Sequence, residues 1–267
     1  TGVGADPFGR FVIEELERLG VDASHVVVNE AFNTPVTFCE IFPPDNFPLY
    51  FYRQPTTPDL ELGEEALPSD LAHYKILWLT VSGLSVEPST SMHHAAVRNR
   101  PDGLTVLDLD YRPRFWGSEQ EATQYTGELL EYVDVAIGNL EECRIAVGES
   151  DPERAADALL DRGVEVAVVK QGLTGTLAKS RTERAFVPST PVEIVNGLGA
   201  GDAFGGAVCH GLLSGWSLYR IIAFASAAGA IVASRLECAT AMPYSHEVEE
   251  LIAANPEIQA AAEVSTR

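Results

Sequence analysis

The sequence predicts an α/β protein: a mostly parallel sheet with helices on both faces, carrying a small β flap. Three observations lead there. From about residue 75 onward, apolar extended segments alternate with amphipathic helical ones, the pattern of a parallel sheet covered on both sides. Residues 26–53 hold short extended stretches with no helix between them, which suits a flap. The run Asn196-Gly197-Leu198-Gly199-Ala200-Gly201-Asp202 leads straight into an apolar helical stretch, setting a glycine-lined backbone against a helix N-terminus.

Taken in order, Asp6 and Pro7 start a helix with Phe11, Val12, Leu16 and Leu19 on one face and Gly20 as its stop. The flap strands are Val36–Phe42 and Leu49–Arg53, split by the turn Pro43-Pro44-Asp45-Asn46. Strands then fit Ile76–Val81, Leu104–Leu109, Val133–Ile137 and Val164–Val169, and helices fit 88–99, 119–131, 151–162, 202–214 and 217–234. In such a sheet, ligands bind at the carboxyl ends of the strands. No internal repeat or long linker interrupts the pattern, and the tail beyond Pro256 is expected to be loose.

With 267 residues and 46% hydrophobic content, the chain can bury one large core. A net charge of −21 argues against nucleic acid, because phosphate backbones demand basic surface. No apolar run reaches membrane-spanning length, and no signal segment opens the chain. Cys39, Cys143, Cys209 and Cys238 are widely spaced without a C-x-x-C, which suits free thiols in a reducing cytoplasm. His93 and His94 are helix neighbours that point apart, and the other histidines are scattered, so no histidine metal site is expected.

The glycine run carries the chemistry. Glycines at 199 and 201 let consecutive amides converge on an anion, yet Asp202 puts a carboxylate at the centre. That charge repels phosphate unless its task is to take a proton from a nucleophile beside it. The combination suggests phosphoryl transfer to an alcohol. A dinucleotide fingerprint would need glycine where Asp202 or Phe204 stands, and none of the lysines Lys75, Lys170 and Lys179 has a P-loop context.

The string N-G-L-G-A-G-D-A-F-G-G-A resembles the C-terminal signature of the ribokinase-like (PfkB-type) carbohydrate kinases. Further segments follow in family order: G-V-G-A-D-P-F-G at 2–9, D-L-D-Y-R-P-R-F-W at 108–116, N-L-E-E at 139–142 and V-V-K-Q-G-L-T-G at 168–175. Within the family, F-C-E-I-F-P-P-D-N-F-P at 38–48, F-Y-R at 51–53 and S-R-L-E-C-A-T-A-M-P at 234–243 are similar to the branch acting on keto-deoxy sugar acids. The resemblance implies one kinase domain over 1–267 with a flap at about 26–55. Its N-terminus would be incomplete, because the family's first strand and Gly-Gly segment have no counterpart here.

The resemblance also implies roles. Asp202 would be the general base, with the amides of Gly199, Ala200 and Gly201 as an anion hole. Asn139, Lys170, Gly172, Gly175 and Ser226 would contact ATP, and Glu142 would act on Mg²⁺ through water. Arg53, Asp110 and Arg112 would hold the substrate; Asp108 shares their side of the strand end, and two acids there need arginine to compensate them. The residues alone leave plainer readings open: Asn139 as a helix cap, Thr174-Gly175 as an ordinary turn, Ser226 as helix packing and Arg53 as surface. A monovalent-cation site is not implied, since Asn196 and Leu198 replace its signature Asp and Thr. The implied substrate is 5-dehydro-2-deoxygluconate of inositol breakdown, with 2-dehydro-3-deoxygluconate or a neutral ketose as alternatives. A catalytically silent sugar- or nucleotide-binding protein is the reading from another class. An exposed flap also suggests a homodimer formed through it.

Overall fold

The computed structural model describes residues 1–100 and 102–258. β1 (Gly2–Gly4) and β2 (Val27–Asn29) form a small parallel pair joined through α1 (Pro7–Arg18). Asp6 caps this helix by accepting the Gly9 amide, with Pro7 in the first turn. The predicted apolar face is only half used: Phe11 stays 57% exposed, because α1 packs chiefly on the short β1. β3 (Val36–Cys39) and β4 (Leu49–Tyr52) pair antiparallel, with Val36 opposite Tyr52. A bridge between Phe42 and Asn46 closes the tip. This hairpin is the flap.

The main sheet begins with β5 (Ile76–Thr80), then α2 (Ser89–Arg98), β6 (Leu104–Asp108), α3 (Glu119–Leu130) and β7 (Val135–Asn139). It continues through α4 (Leu140–Val147), α5 (Pro152–Asp161), β8 (Val166–Lys170), β9 (Thr176–Ser180) and β10 (Arg184–Val187). The helices α6 (Ala200–Leu213), α7 (Leu218–Ala233) and α8 (Ser245–Ala253) complete the order. The strands lie β10-β9-β8-β7-β6-β5, with β5 to β8 parallel and β9 and β10 antiparallel. The antiparallel hairpin and α8 extend the sequence reading, which had no strand after Val169 and no helix after 234. Among the described residues, β5 carries no further strand on its outer edge.

Alternation along each strand divides the core. Leu107, Ala136, Ala167 and Val169 face the layer of α3, α4 and α5, whereas Val106, Val135, Ile137 and Val168 face α6, α7 and α8. Burial on both faces explains why these strands read as continuous apolar runs. Ile258 does not hang free: it is buried, and its carbonyl accepts a hydrogen bond from the Tyr219 hydroxyl. The rest of the tail expected to be loose lies outside the described residues.

Candidate active site

The carboxyl ends of β5, β6, β7 and β8 line up, and each delivers a polar side chain. Register places Thr80 beside Asp108 and Asn139 beside Lys170. Ser82 follows β5, Asp110 and Arg112 follow β6, and α4 begins directly after Asn139. This row is where a parallel sheet collects ligand contacts.

α6 begins against that row. Gly199 takes φ +87°, a left-handed conformation open to glycine, and no side chain caps the helix. Its first-turn amides are therefore free to meet an anion. Helix α4 differs: the Asn139 side chain accepts from the Glu142 amide, and Glu142 accepts from the Asn139 amide. That reciprocal box uses one oxygen of each side chain, so the plain cap reading holds for Asn139. Glu142 is buried rather than exposed.

Lys170 joins the helix start. Its Nζ lies 3.9 Å from where a Cβ on Gly201 would sit, so its ammonium adds charge at the same end of α6. Asp202 opens toward solvent in the first turn. The surrounding protein strips enough water to push its carboxyl pKa up; the nearby Asp110 pushes the same way, while its own amide, Lys170 and Arg112 pull it down. Asp108 is pushed up to about 7, chiefly by burial, with Lys170 opposing and Glu142 and Asp110 adding to the rise. Asp108 belongs to this cluster although the sequence reading gave it no ligand role. Its position two residues before Asp110, on the same side of a strand, was the signal for it.

Beside this row lies a cavity of about 620 Å³ that Arg53, Asp59, Ser82, Asp110, Arg112 and Phe115 help to line. Arg112 Nη2 meets Asp110 Oδ1 at 2.5 Å, and the Ser82 hydroxyl donates to Asp110 Oδ2 at 2.8 Å. Arginine thus compensates the acid, as the sequence suggested. Arg53 sits elsewhere than on those acids: Nη2 reaches Asp59 Oδ2 at 2.5 Å and donates to the Thr57 hydroxyl at 3.0 Å. The ring beneath its guanidinium is Phe115, 5.3 Å away, braced edge-on by Phe51. Tyr52 instead turns outward to pair with Phe38.

The flap meets the glycine run directly. Phe47 lies 3.0 Å from where a Cβ on Gly197 would be, and the Cys39 thiol reaches Asn196 Oδ1 at 4.0 Å. Asn196 is buried, accepts the Leu198 amide and donates to the Leu236 carbonyl. In place of the signature Asp it staples the loop. Gly172 has φ +57° with open space around it. Gly175 has φ +128°, and a Cβ there would lie 2.3 Å from the Val187 carbonyl oxygen. Its glycine is therefore required by close packing on the end of β10. Ser226 Oγ is buried on α7 without a hydrogen-bond partner. Among the described residues, no group of three or more His, Cys, Asp or Glu side chains is arranged to hold a metal ion.

Comparison with known proteins fits this geometry. Residues 1–244 match the pfkB family carbohydrate kinase domain. The chain belongs to the pfkB family of carbohydrate kinases. It is 32% identical over 259 residues to 5-dehydro-2-deoxygluconokinase of Geobacillus thermodenitrificans, covering 94% of this chain and 77% of that one. The same-named protein of Bacillus subtilis is 28% identical over 93% of this chain and 78% of its own. Among solved structures, a protein of E. coli described as a ribokinase II in complex with ATP and Mg²⁺ superposes with a TM-score of 0.86 at 25% identity. That match covers 96% of this chain and 82% of the other. Fructokinase of Vibrio cholerae shares the fold, with a TM-score of 0.83 at 23% identity over 94% of this chain and 83% of its own. This pfkB chain is an ATP-dependent sugar kinase with a ribokinase-like fold. Among the described residues, no helix is long and apolar enough to cross a membrane.

Proposed function

We propose that this kinase transfers the γ-phosphate of Mg·ATP to the primary hydroxyl of 5-dehydro-2-deoxygluconate. One arrangement carries the reading: Arg53 and Arg112, paired with Asp59 and Asp110, line a single cavity, and Asp110 and Arg112 also act on Asp202 at the uncapped start of α6. A sugar carboxylate can make charge-assisted, two-armed bonds to a guanidinium that the hydroxyls of a neutral sugar cannot. The named kinases at about 30% identity point to the same acid.

In this reading Asp202 takes the proton from the attacking hydroxyl, and its open carboxylate at the helix start suits that task. The amides of Gly199, Ala200 and Gly201 would receive the charge that gathers on the transferred phosphoryl oxygens, and Lys170 would add its ammonium. Asn139, Gly172 and Gly175 would border the nucleotide, and Ser226, whose hydroxyl is buried without a partner on α7, would face its base. Asp108 and Glu142 fit Mg²⁺: they are two neighbouring acids, one pushed up to about 7, and the ion commonly needs one or two carboxylates plus substrate phosphates. Bound there, Mg²⁺ would neutralise the phosphates, while Asp108 and Glu142 orient its water shell. Arg53, Asp110 and Arg112 would hold the sugar acid.

The test is a parallel assay of purified enzyme with 5-dehydro-2-deoxygluconate, 2-dehydro-3-deoxygluconate and fructose. The highest kcat/KM should fall on the first. A clear preference for fructose overturns the sugar-acid assignment, and no turnover of any of them overturns it in favour of another sugar.

A further inference from the structure

The two arginines of the cavity are not in equivalent states. Around Asp110 every carboxylate oxygen is used, Oδ1 by Arg112 Nη2 and Oδ2 by the Ser82 hydroxyl. Around Arg53 the bonding is incomplete. Nη2 carries both contacts, to Asp59 Oδ2 and Thr57 Oγ1, while Arg53 Nε and Asp59 Oδ1 are buried without partners. An arginine and a carboxylate can form two parallel bonds, and this pair forms one.

That geometry bears on how Arg53 can hold a ligand. A guanidinium grips a carboxylate through two parallel N–H groups, using either Nη1 with Nη2 or Nε with Nη2. Both modes need Nη2. Its two hydrogens are already committed, one to Asp59 and one to Thr57. A ligand carboxylate must therefore displace either Asp59 or the Thr57 hydroxyl before Arg53 can bind it with both arms, and of the two only Asp59 opposes it with charge. Asp59 is also a like charge that an anion meets at this wall.

We propose that Asp59 is a positioning residue: it holds Arg53 on the cavity wall over Phe115 and releases it to the carboxylate of the bound sugar. The assignment rests on the sugar-acid reading of this cavity and adds to it a residue that sets how tightly acids bind relative to neutral sugars. The internal carboxylate competes with the ligand's. Anions too weak to replace it leave Arg53 where it is, and a well-placed sugar acid draws it inward.

The experiment is calorimetric titration of gluconate and fructose, without ATP, into the wild type, Asp59→Asn, Arg53→Ala and the double variant. Asparagine keeps the shape and one acceptor but removes the competing charge. Gluconate binding should tighten about three- to tenfold in Asp59→Asn, the scale of one ordinary hydrogen bond because asparagine still competes as a neutral acceptor, with a smaller change for fructose. The gain should vanish in the Arg53→Ala background. Thr57→Val frees the other Nη2 hydrogen and should shift gluconate in the same direction, a check that survives if Asp59→Asn folds poorly. Gluconate binding that is unchanged, weaker or unmeasurable in both aspartate forms overturns the proposal, as does a gain that persists without Arg53. These outcomes are separate from turnover preference: an enzyme that phosphorylates fructose best, yet gains gluconate affinity through Arg53 in Asp59→Asn, would refute the substrate and keep the role of Asp59.

Discussion

As the proposed base, Asp202 has to be charged to accept a proton, yet it stands where its neighbours make charge costly. Desolvation and Asp110 raise its pKa, while Lys170 and Arg112 only partly restore it. The ionised fraction therefore falls at a higher pH than for a free aspartate, and kcat/KM should decline on the acid side through a pKa above the usual carboxylate range. A pH–rate profile with its acid limb at or below the ordinary aspartate value would contradict this. Asp202→Asn should cost roughly 10²–10⁴-fold in kcat while calorimetry still detects ATP. Glu142 supplies a second residue-level test. Glu142→Gln keeps an oxygen to accept the Asn139 amide, so the cap of α4 should survive in part while the Mg²⁺ concentration for half-maximal rate rises. An unchanged magnesium titration would leave Glu142 with its capping role alone.

At the scale of elements, the glycines of the turn before β9 separate backbone need from ligand need. Gly175 occupies a backbone region that side chains rarely adopt, with the Val187 carbonyl 2.3 Å from a would-be Cβ. Gly175→Ala should therefore lower stability by about 1–3 kcal/mol, read as a drop in Tm with or without ATP. Gly172 has open space, so Gly172→Ala should lose only about 1 kcal/mol to its left-handed φ. A rise in KM for ATP, which a stability loss of that size does not cause, would mark a ligand contact. The elements also show what the sequence made legible. Strands of the parallel sheet were readable within about two residues because both-sided burial makes them continuous apolar runs. Val133 was assigned to a strand but belongs to a turn, its amide bonded to the Leu130 carbonyl. The helix after the glycine run starts at Ala200, because Gly199 already serves as its N-cap. The β9–β10 hairpin went unread because Arg181, Thr182 and Glu183 break the apolar pattern with polar turn residues. Asp59 lay in a stretch with no periodicity at all, so its pairing with Arg53 is a tertiary fact that spacing could not give.

For the whole molecule, the alignment of four strand ends places the acids and cations of the site on one edge of the sheet, and stability bears the consequence. Asp108 titrates near 7 in the fold against 3.8 for an unperturbed aspartate. Between those values the folded state binds more protons than the unfolded one, so stability falls as pH rises from about 4 to about 7. The penalty is complete above 7 and absent below 4. Asp108→Asn should relieve it, by at most about 4 kcal/mol, so the Tm of the variant should exceed that of the wild type at pH 8 and match it at pH 4. Equal Tm differences at both values would show that burial does not penalise this acid. Such a trade of stability for a charged site is common where catalysis requires the charge.

The substrate class is the central claim, and the cavity arginines carry it. Its most direct measurement is kcat/KM for 5-dehydro-2-deoxygluconate and for fructose in the wild type and in Arg53→Ala. Loss of a hydrogen bond to a charged group costs roughly 1.5–3 kcal/mol, about ten- to a hundredfold. The acid should lose that much, fructose much less, and KM for ATP should stay nearly constant, so that the preference for the acid narrows. Equal losses on both sugars would contradict the account, because Arg53 would then shape the flap without reading a carboxylate.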